Sequence, residues 1–401
     1  MIRIIKADES TPEELTKPRG SHADVSATVS DILDTVRREG DEALFRYTEK
    51  FDHVALQNLA VTPEEYREGL EQVEASFLAV LEKAAENIRR YHETQKRSNI
   101  MITEENGVVL GKVFRPIEKI GMYVPNGTAA YPSTVLMDLI PARIAGCEEI
   151  VMVTPPGKDG KVNPAILAAA HVAGIEKIFK VGGAQAIAAM AFGTATIPRV
   201  SKITGPGNIF VTLAKKEVFG HCDIDMLAGP SEILIIADEN ANPIYAAADL
   251  LSQAEHDPLA CSILITTNQT LAEKISEQVE EQLKNLPRRE IAASSIERNG
   301  LIVVAENLDA AIDFANFSAP EHLELLTNAP FELLPKIKNA GAIFLGAYSP
   351  EPLGDYLAGT NHVLPTGGTA KFYSVLNVET FLKRTSLISY TQKDLLNAAQ
   401  D

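Results

Sequence analysis

Apolar positions recur along the chain in two different rhythms. From Asp24 to about Lys50, residues Val25, Val29, Ile32, Leu33 and Val36 fall at helical spacing. A second, longer helix is expected from Thr62-Pro63-Glu64-Glu65 to about Arg97. Thr62 can cap it, Pro63 suits the first helical position, and the two acids favour the positive end of the helix dipole. Residues 1–115 therefore read as mostly helical.

The rhythm changes at Glu148, where short apolar runs begin to alternate with helical stretches. EEIVMVTPP reads as a strand and turn, NPAILAAAHVAG as a helix ended by Gly174, IEKIFKVGG as a strand, AQAIAAMAFG as a helix, and VSKITGPGN as a strand with its loop. The succession restarts at SEILIIADE. It continues through NPIYAAADLLSQAEH, CSILITT, LAEKISEQVEEQLKNL, GLIVVAE and LDAAIDFANF, and closes on HLELLT and GAIFLG. Two such runs predict two parallel sheets covered by helices, that is, two Rossmann-like doubly wound α/β domains. The expected organisation is a mainly helical segment 1–118 packed on an α/β domain 119–225, a second α/β domain 226–380, and a short C-terminal tail 381–401.

Composition narrows the function classes. Apolar residues make up 45% of the 401, enough for more than one buried core. The formal charge of −17 sets up a field that repels phosphate backbones, so no nucleic-acid partner is expected. An anionic cofactor stays possible, because backbone N–H groups hold nucleotide phosphates locally. Cys147, Cys222 and Cys261 are odd in number and far apart, which argues against a disulfide framework or a thiolate metal cage. MIRIIKADESTPEEL lacks the basic patch and apolar run of a secretory signal, and no window reaches the ~18 uninterrupted apolar residues of a membrane span. A cytoplasmic protein without a membrane partner is expected.

Four segments do not read as plain scaffold. Gly182-Gly183-Ala184-Gln185 lies between a strand and a helix, where glycines admit a ligand to the backbone; Gly205-Pro206-Gly207-Asn208 is similar. A tight βα turn without ligand gives the same pattern, and no full G-x-G-x-x-G is present. In the helix starting at Pro243, Gln253 and His256 are three apart and share a face, so both could meet one metal ion. A histidine that is merely hydrogen-bonded there is the plainer alternative. Ser318-Ala319-Pro320-Glu321-His322-Leu323 sets a carboxylate beside an imidazole at the mouth of a strand. Such a pair could move protons and activate water, or be an ordinary strand-edge pair. Gly354 to His362 (GDYLAGTNH) follows a strand, where loops of α/β folds present ligands, and Asp355 is an oxygen donor of a kind zinc accepts. Its alternative is a polar loop held by its own turns.

Taken together, YVPNGTAAYPSTVLM (123–137), VGGAQAIAAMAFG (181–193), GPGNIFV (205–211), DMLAGPSEIL (225–234), LLSQAEHDP (250–258), APEHLEL (319–325) and GDYLAGTNHVLPT (354–366) resemble the histidinol dehydrogenase family. The likeness runs from about Ile4 to Leu387, with several long motifs in order. The resemblance implies a homodimer that oxidises L-histidinol to L-histidine in the last steps of histidine biosynthesis. It implies two NAD+ and an enzyme-held L-histidinal. His322 would be the general base of both oxidations and Glu321 the activator of water. Gln253, His256 and Asp355 would bind zinc and, through it, the substrate's amine and imidazole. Ser231, His322 and His362 would contact the substrate, and Tyr123, Gln185 and Asn208 would contact NAD. The cofactor would belong to the 119–225 side, and zinc and catalysis to the 226–380 side.

Two departures from the family pattern stand out. The family continues into a small C-terminal domain whose Glu and His serve the partner's site, whereas here the last histidine is His362 and the chain stops at Asp401. An incomplete dimerisation domain and three zinc ligands per chain are the expectation. Asn126 also stands in YVPNG where many relatives carry glycine. A relative acting on another amino or hydroxy alcohol, a zinc hydrolase and an inactive truncated member are the competing readings.

Overall fold

The computed structural model describes residues 2–7, 25–126 and 130–399. The residues 127–129 of the first quoted motif, and Asp24 at the expected helix start, lie outside these. The chain divides into two compact units, neither of them a consecutive stretch. The first comprises Met1–Asp34, Pro206–Glu217 and Met226–Leu376; the second comprises Thr35–Gly205, Val218–Asp225 and Asn377–Asp401.

The first unit is built on a six-stranded, all-parallel sheet. Its order is Arg3–Lys6, Leu301–Val304, Cys261–Thr266, Glu232–Ala237, His322–Leu326, Ala342–Leu345. These strands are apolar almost throughout because both faces are covered. One face, with Ile233, Ile235, Leu264, Ile302 and Leu326, packs on the helices Pro243–Ala254, Gln269–Leu283 and Arg289–Asn299. The other, with Leu234, Ile236, Leu323 and Leu325, packs on Leu308–Ser318. Capping follows the sequence: Asn242 Oδ1 accepts from Ile244 N at 2.9 Å, and Pro243 opens the helix.

The second unit holds a five-stranded parallel sheet in the order Ile178–Lys180, Glu149–Thr154, Lys119–Tyr123, Lys202–Thr204, Asp223–Ile224. Both sheets thus wind outward in two directions from an inner strand, which is the doubly wound plan. The series starts earlier than Glu148. Its central strand is Lys119–Tyr123, and the helix Pro132–Ala145 follows. That helix is buried on every side from Ser133 to Ala142, so its sequence carries no amphipathic period by which to recognise it.

The 1–115 region also contains strands. Arg3–Lys6 joins the first unit's sheet, and Ile100–Thr103 with Val109–Pro116 belongs to a three-stranded antiparallel sheet. The third strand of that sheet is Leu382–Ser389, paired along its whole length with Val109–Pro116, so the C-terminal segment is folded into the second unit. The two expected long helices are each broken in two. Ser26–Glu39 gives way to Asp41–Asp52 at Gly40, whose φ is 60°; Pro63–Glu71 gives way to Ala75–Glu93 after the cap at Gln72. Thr62 caps as expected, accepting from Glu65 N at 3.1 Å.

A buried ion pair ties the second unit together. Lys180 Nζ lies 2.8 Å from Glu65 Oε2, both side chains under a tenth exposed, and Glu65 Oε1 accepts from Val162 N at 3.1 Å. Lys180→Met leaves the Glu65 carboxylate buried without its counter-charge. A loss of about 3–5 kcal/mol is expected in urea unfolding. A loss below 1 kcal/mol would mean that water reaches Glu65 and the pair is not isolated.

Candidate active site

In the first unit the chemistry-bearing residues gather at the amino edge of the sheet. Ser231 directly precedes the strand Glu232–Ala237, and Glu321 directly precedes the neighbouring strand His322–Leu326. The crossover helix Pro243–Ala254 runs back from the carboxyl edge, so its last turn brings Gln253, and then His256, to the amino edge. The short helix Glu351–Tyr356 makes the same return after Ala342–Leu345 and delivers Asp355 beside His322. Part of the segment after GAIFLG is thus a short helix, which presents Asp355 at the amino edge of the sheet. The return of the helix reverses the edge.

Glu321 and His322 are both buried and both held by one residue's backbone. Glu232 N donates to Glu321 Oε2 at 2.8 Å, and the Glu232 carbonyl oxygen lies 3.0 Å from His322 Nδ1. Nδ1 also faces Glu321 Oε2 at 3.5 Å, so both of its neighbours are acceptors and Nδ1 must carry a proton. In the neutral ring the free lone pair is then at Nε2, which faces Asp355 Oδ1 at 3.4 Å and Glu351 Oε1 at 4.0 Å. The turn into the pair is made at Ala319, a left-handed residue with φ 50°, which ends the helix Leu308–Ser318. Just before the next strand, Gly341 lies against the pair; a Cβ there would come within 2.6 Å of the Glu321 carbonyl oxygen.

The electrostatics are those of a crowded carboxylate site. Burial lowers the His322 pKa, but the Glu321 charge and the bonds to Asp355 and Glu321 outweigh it, leaving it well above the ordinary histidine value. Burial pushes Asp355 up, yet His322 and then His362 hold it down to about 2. Glu351 is pushed up to about 8 by burial and then by the Asp355 charge, and Ser252 Oγ donates to its Oε2 at 2.8 Å. Glu232 is pushed up to about 7 by burial and then by Glu321, while its Oε1 accepts from Gly367 N at 3.0 Å. Burial lowers His256 and His362 against the pull of Asp355, so both rings are neutral near pH 7.

The group whose ligand atoms lie within 4.8 Å of one another is His322, Glu351 and Asp355. Gln253 and His256 approach the same edge: the Asp355 and Glu321 charges reach His256, and Gln253 is buried. Asp355 is the counter-charge that raises the proton affinity of His322 here; a cation bound to Asp355 would take over that role and free the Nε2 lone pair. Gln253 Oε1 has no hydrogen-bond partner among the described residues. A buried acceptor without a donor costs roughly 1–3 kcal/mol, a cost that a cation removes. With an amide oxygen, two neutral imidazoles and two carboxylates at one edge, the donor set fits a divalent ion of zinc's type.

In the second unit the candidate residues take the opposite, carboxyl edge. Tyr123 ends the strand Lys119–Tyr123, and its Oη accepts from Gly183 N at 3.1 Å, at the start of the helix Gly183–Phe192. Gln185 sits in that helix's first turn and is buried. Gly205 closes the adjacent strand with φ 105°; a Cβ there would lie 2.1 Å from the Tyr123 carbonyl oxygen, so only glycine lets the two strand ends meet. This is the point where the strand order reverses, the usual cradle for a nucleotide. Asn208 belongs to the first unit, is exposed, and caps the helix Ile209–Val218, accepting from Phe210 N at 3.1 Å and Val211 N at 3.2 Å.

Glu232, Glu351 and Glu324 were not marked by the sequence patterns. Glu324 alone left a trace, as one charge inside the buried run HLELL.

The histidinol dehydrogenase family model matches residues 15–401. The histidinol dehydrogenase of Clostridium acetobutylicum is 55% identical over 402 residues, covering 99% of this chain and 93% of that protein. The Heliobacterium mobile histidinol dehydrogenase is 52% identical, covering 100% and 95%. The crystal structure of histidinol dehydrogenase from Elizabethkingia anophelis superposes with a TM-score of 0.94 at 40% identity, covering 100% of this chain and 93% of that one. With its buried Glu-His pair set against a cation-type donor cluster, the chain belongs to the histidinol dehydrogenase family.

Proposed function

We propose that the protein oxidises L-histidinol through L-histidinal to L-histidine, using two NAD+ and zinc, in the last steps of histidine biosynthesis. Family membership supports the reaction, and the shared Glu232 backbone contact of Glu321 and His322 carries the assignment of the working pair. NAD+ accepts the hydride of each oxidation. Tyr123 and Gln185 contact it from a carboxyl edge of the kind that binds nucleotides.

Gln253, His256 and Asp355 would hold the zinc, which would supply an anchor for the substrate's amine and imidazole. Ser231 and His362 contact the substrate. His322 takes the hydroxyl proton at Nε2, because Nδ1–H is committed to the Glu232 carbonyl oxygen. In the second oxidation Glu321 activates the water that adds to the aldehyde. Its Oε2 is fixed by Glu232 N, and no hydrogen bond within the described residues takes up Oε1. His322, having released its first proton to solvent, accepts the hydroxyl proton of the hydrate. Burial of both groups keeps bulk water from the aldehyde, and their fixed rotamers remove the entropy of finding the geometry. The working form is a homodimer in the cytoplasm; among the described residues no helix is long and apolar enough to cross a membrane.

The deciding experiment follows NADH absorbance with L-histidinol. Two NADH per histidinol consumed are expected, lost on chelation and restored by zinc. NADH formation that persists in strong chelator would remove zinc from the reading, and no NADH with zinc present would remove the substrate.

A further inference from the structure

Behind the site lies a pair of acids that the proposed chemistry does not use. Glu324 is fully buried, and Asp249 is nearly so. Residues on a strand alternate faces, so Glu324 points to the same side of the sheet as His322 and Leu326, into the aliphatic layer of Ile233, Ile235, Ala246, Leu250 and Leu251. Asp249 meets it there from the helix Pro243–Ala254. Acids are almost never buried in such a layer without a partner, and an apolar pair of similar volume is often as stable or more so. Their presence calls for a role other than stability.

The connections indicate which role. Glu324 Oε1 accepts from Glu351 N at 2.9 Å, the first residue of the helix that carries Asp355. Its Oε2 has no donor if both acids are ionised. A single proton on Glu324, donated to Asp249, supplies one: burial and then the Asp249 charge raise the Glu324 carboxyl, whereas Asp249 is raised by burial and lowered by its bond to Glu324. Glu324 is one strand repeat from His322, Asp249 one helical turn from Gln253, and Glu351 one turn from Asp355. Ser252 Oγ adds a second tie between the two helices, donating to Glu351 Oε2 at 2.8 Å.

We propose that Glu324 and Asp249 are positioning residues. Their shared hydrogen bond, with the Glu324–Glu351 contact, locks three elements together so that Gln253 and Asp355 meet one metal ion beside His322. This rests on the zinc assignment proposed above. The brace needs hydrogen bonds and no net charge, which separates it from a structural or purely electrostatic role. In Glu324→Gln the amide oxygen accepts from Glu351 N and the amide N–H donates to Asp249. In Asp249→Asn the amide N–H donates to Glu324. In Glu324→Leu the aliphatic layer is filled and the tie is lost.

The test measures zinc affinity by chelator competition on the full chain, the visible spectrum of the cobalt-substituted protein, and urea stability without metal. Glu324→Leu leaves Asp249 buried without its partner, so a loss of urea stability is expected; with the fold intact it is expected to bind zinc about 10–100-fold more weakly and alter the cobalt spectrum. Glu324→Gln and Asp249→Asn are expected to stay within about threefold of wild type, with its spectrum. Wild-type zinc affinity in Glu324→Leu overturns the brace alone. If Glu324→Leu does not fold, the amide variants decide: weak zinc in both, with the fold intact, also overturns it. No zinc uptake by the wild type overturns the metal assignment and takes the brace with it.

Discussion

His322→Asn is expected to slow both oxidations by about 10²–10⁴-fold, the usual contribution of a positioned general base. The asparagine amide can still donate to the Glu232 carbonyl oxygen, as Nδ1–H does across 3.0 Å, so the strand edge keeps its hydrogen bond. What disappears is the lone pair at Nε2, the one ring atom that faces the carboxylate cluster rather than the Glu232 backbone. Because an alcohol proton leaves in each half-reaction, the losses with L-histidinol and with L-histidinal should be similar. Single-turnover NADH formation with each substrate measures them separately. A loss confined to one substrate would show that His322 serves only that step.

Glu321→Gln should divide the two half-reactions instead. Its amide oxygen can accept from Glu232 N in place of Oε2, so the geometry of the pair survives. The amide cannot take a proton from water. Oxidation of L-histidinal is expected to fall by about 10²–10⁴-fold, while oxidation of L-histidinol stays within about tenfold. L-Histidinal should then accumulate, or escape, in the wild-type direction of reaction. Equal losses in both steps would refute the water-activating role and make Glu321 chiefly an electrostatic partner of His322, whose proton affinity its charge raises.

Much of the scaffold was readable one segment at a time. SEILIIADE, CSILITT and GLIVVAE are strands because both faces of a parallel sheet are covered, so their apolar runs are nearly continuous. Helix starts at Thr62 and Asn242 carry their caps in the sequence, and each side chain makes the expected bond; Asn163 caps its helix in the same way. The helix Pro132–Ala145 was not readable for the converse reason: total burial erases the period. The pairing of Leu382–Ser389 with Val109–Pro116 joins segments more than 260 residues apart, and no local pattern encodes such a partner.

The site divides along the same line. The sequence by itself determined which residues are chemically able to act: Glu321 beside His322, Gln253 and His256 on one helical face, Asp355, and the glycine turns at 182–183 and 205–207. The tertiary structure alone decided their surroundings. It set the first unit's site at the amino edge and the second unit's at the carboxyl edge. It gave both oxygen-bearing and imidazole partners a common anchor in Glu232, some 90 residues away. It also brought Glu351, Glu324 and Asp249 behind them. The physical reason is that periodicity and capping record whether a residue is buried and how its own turn is closed. Proton affinity and ligand geometry depend on which distant groups share the burial, and only the folded chain brings those together.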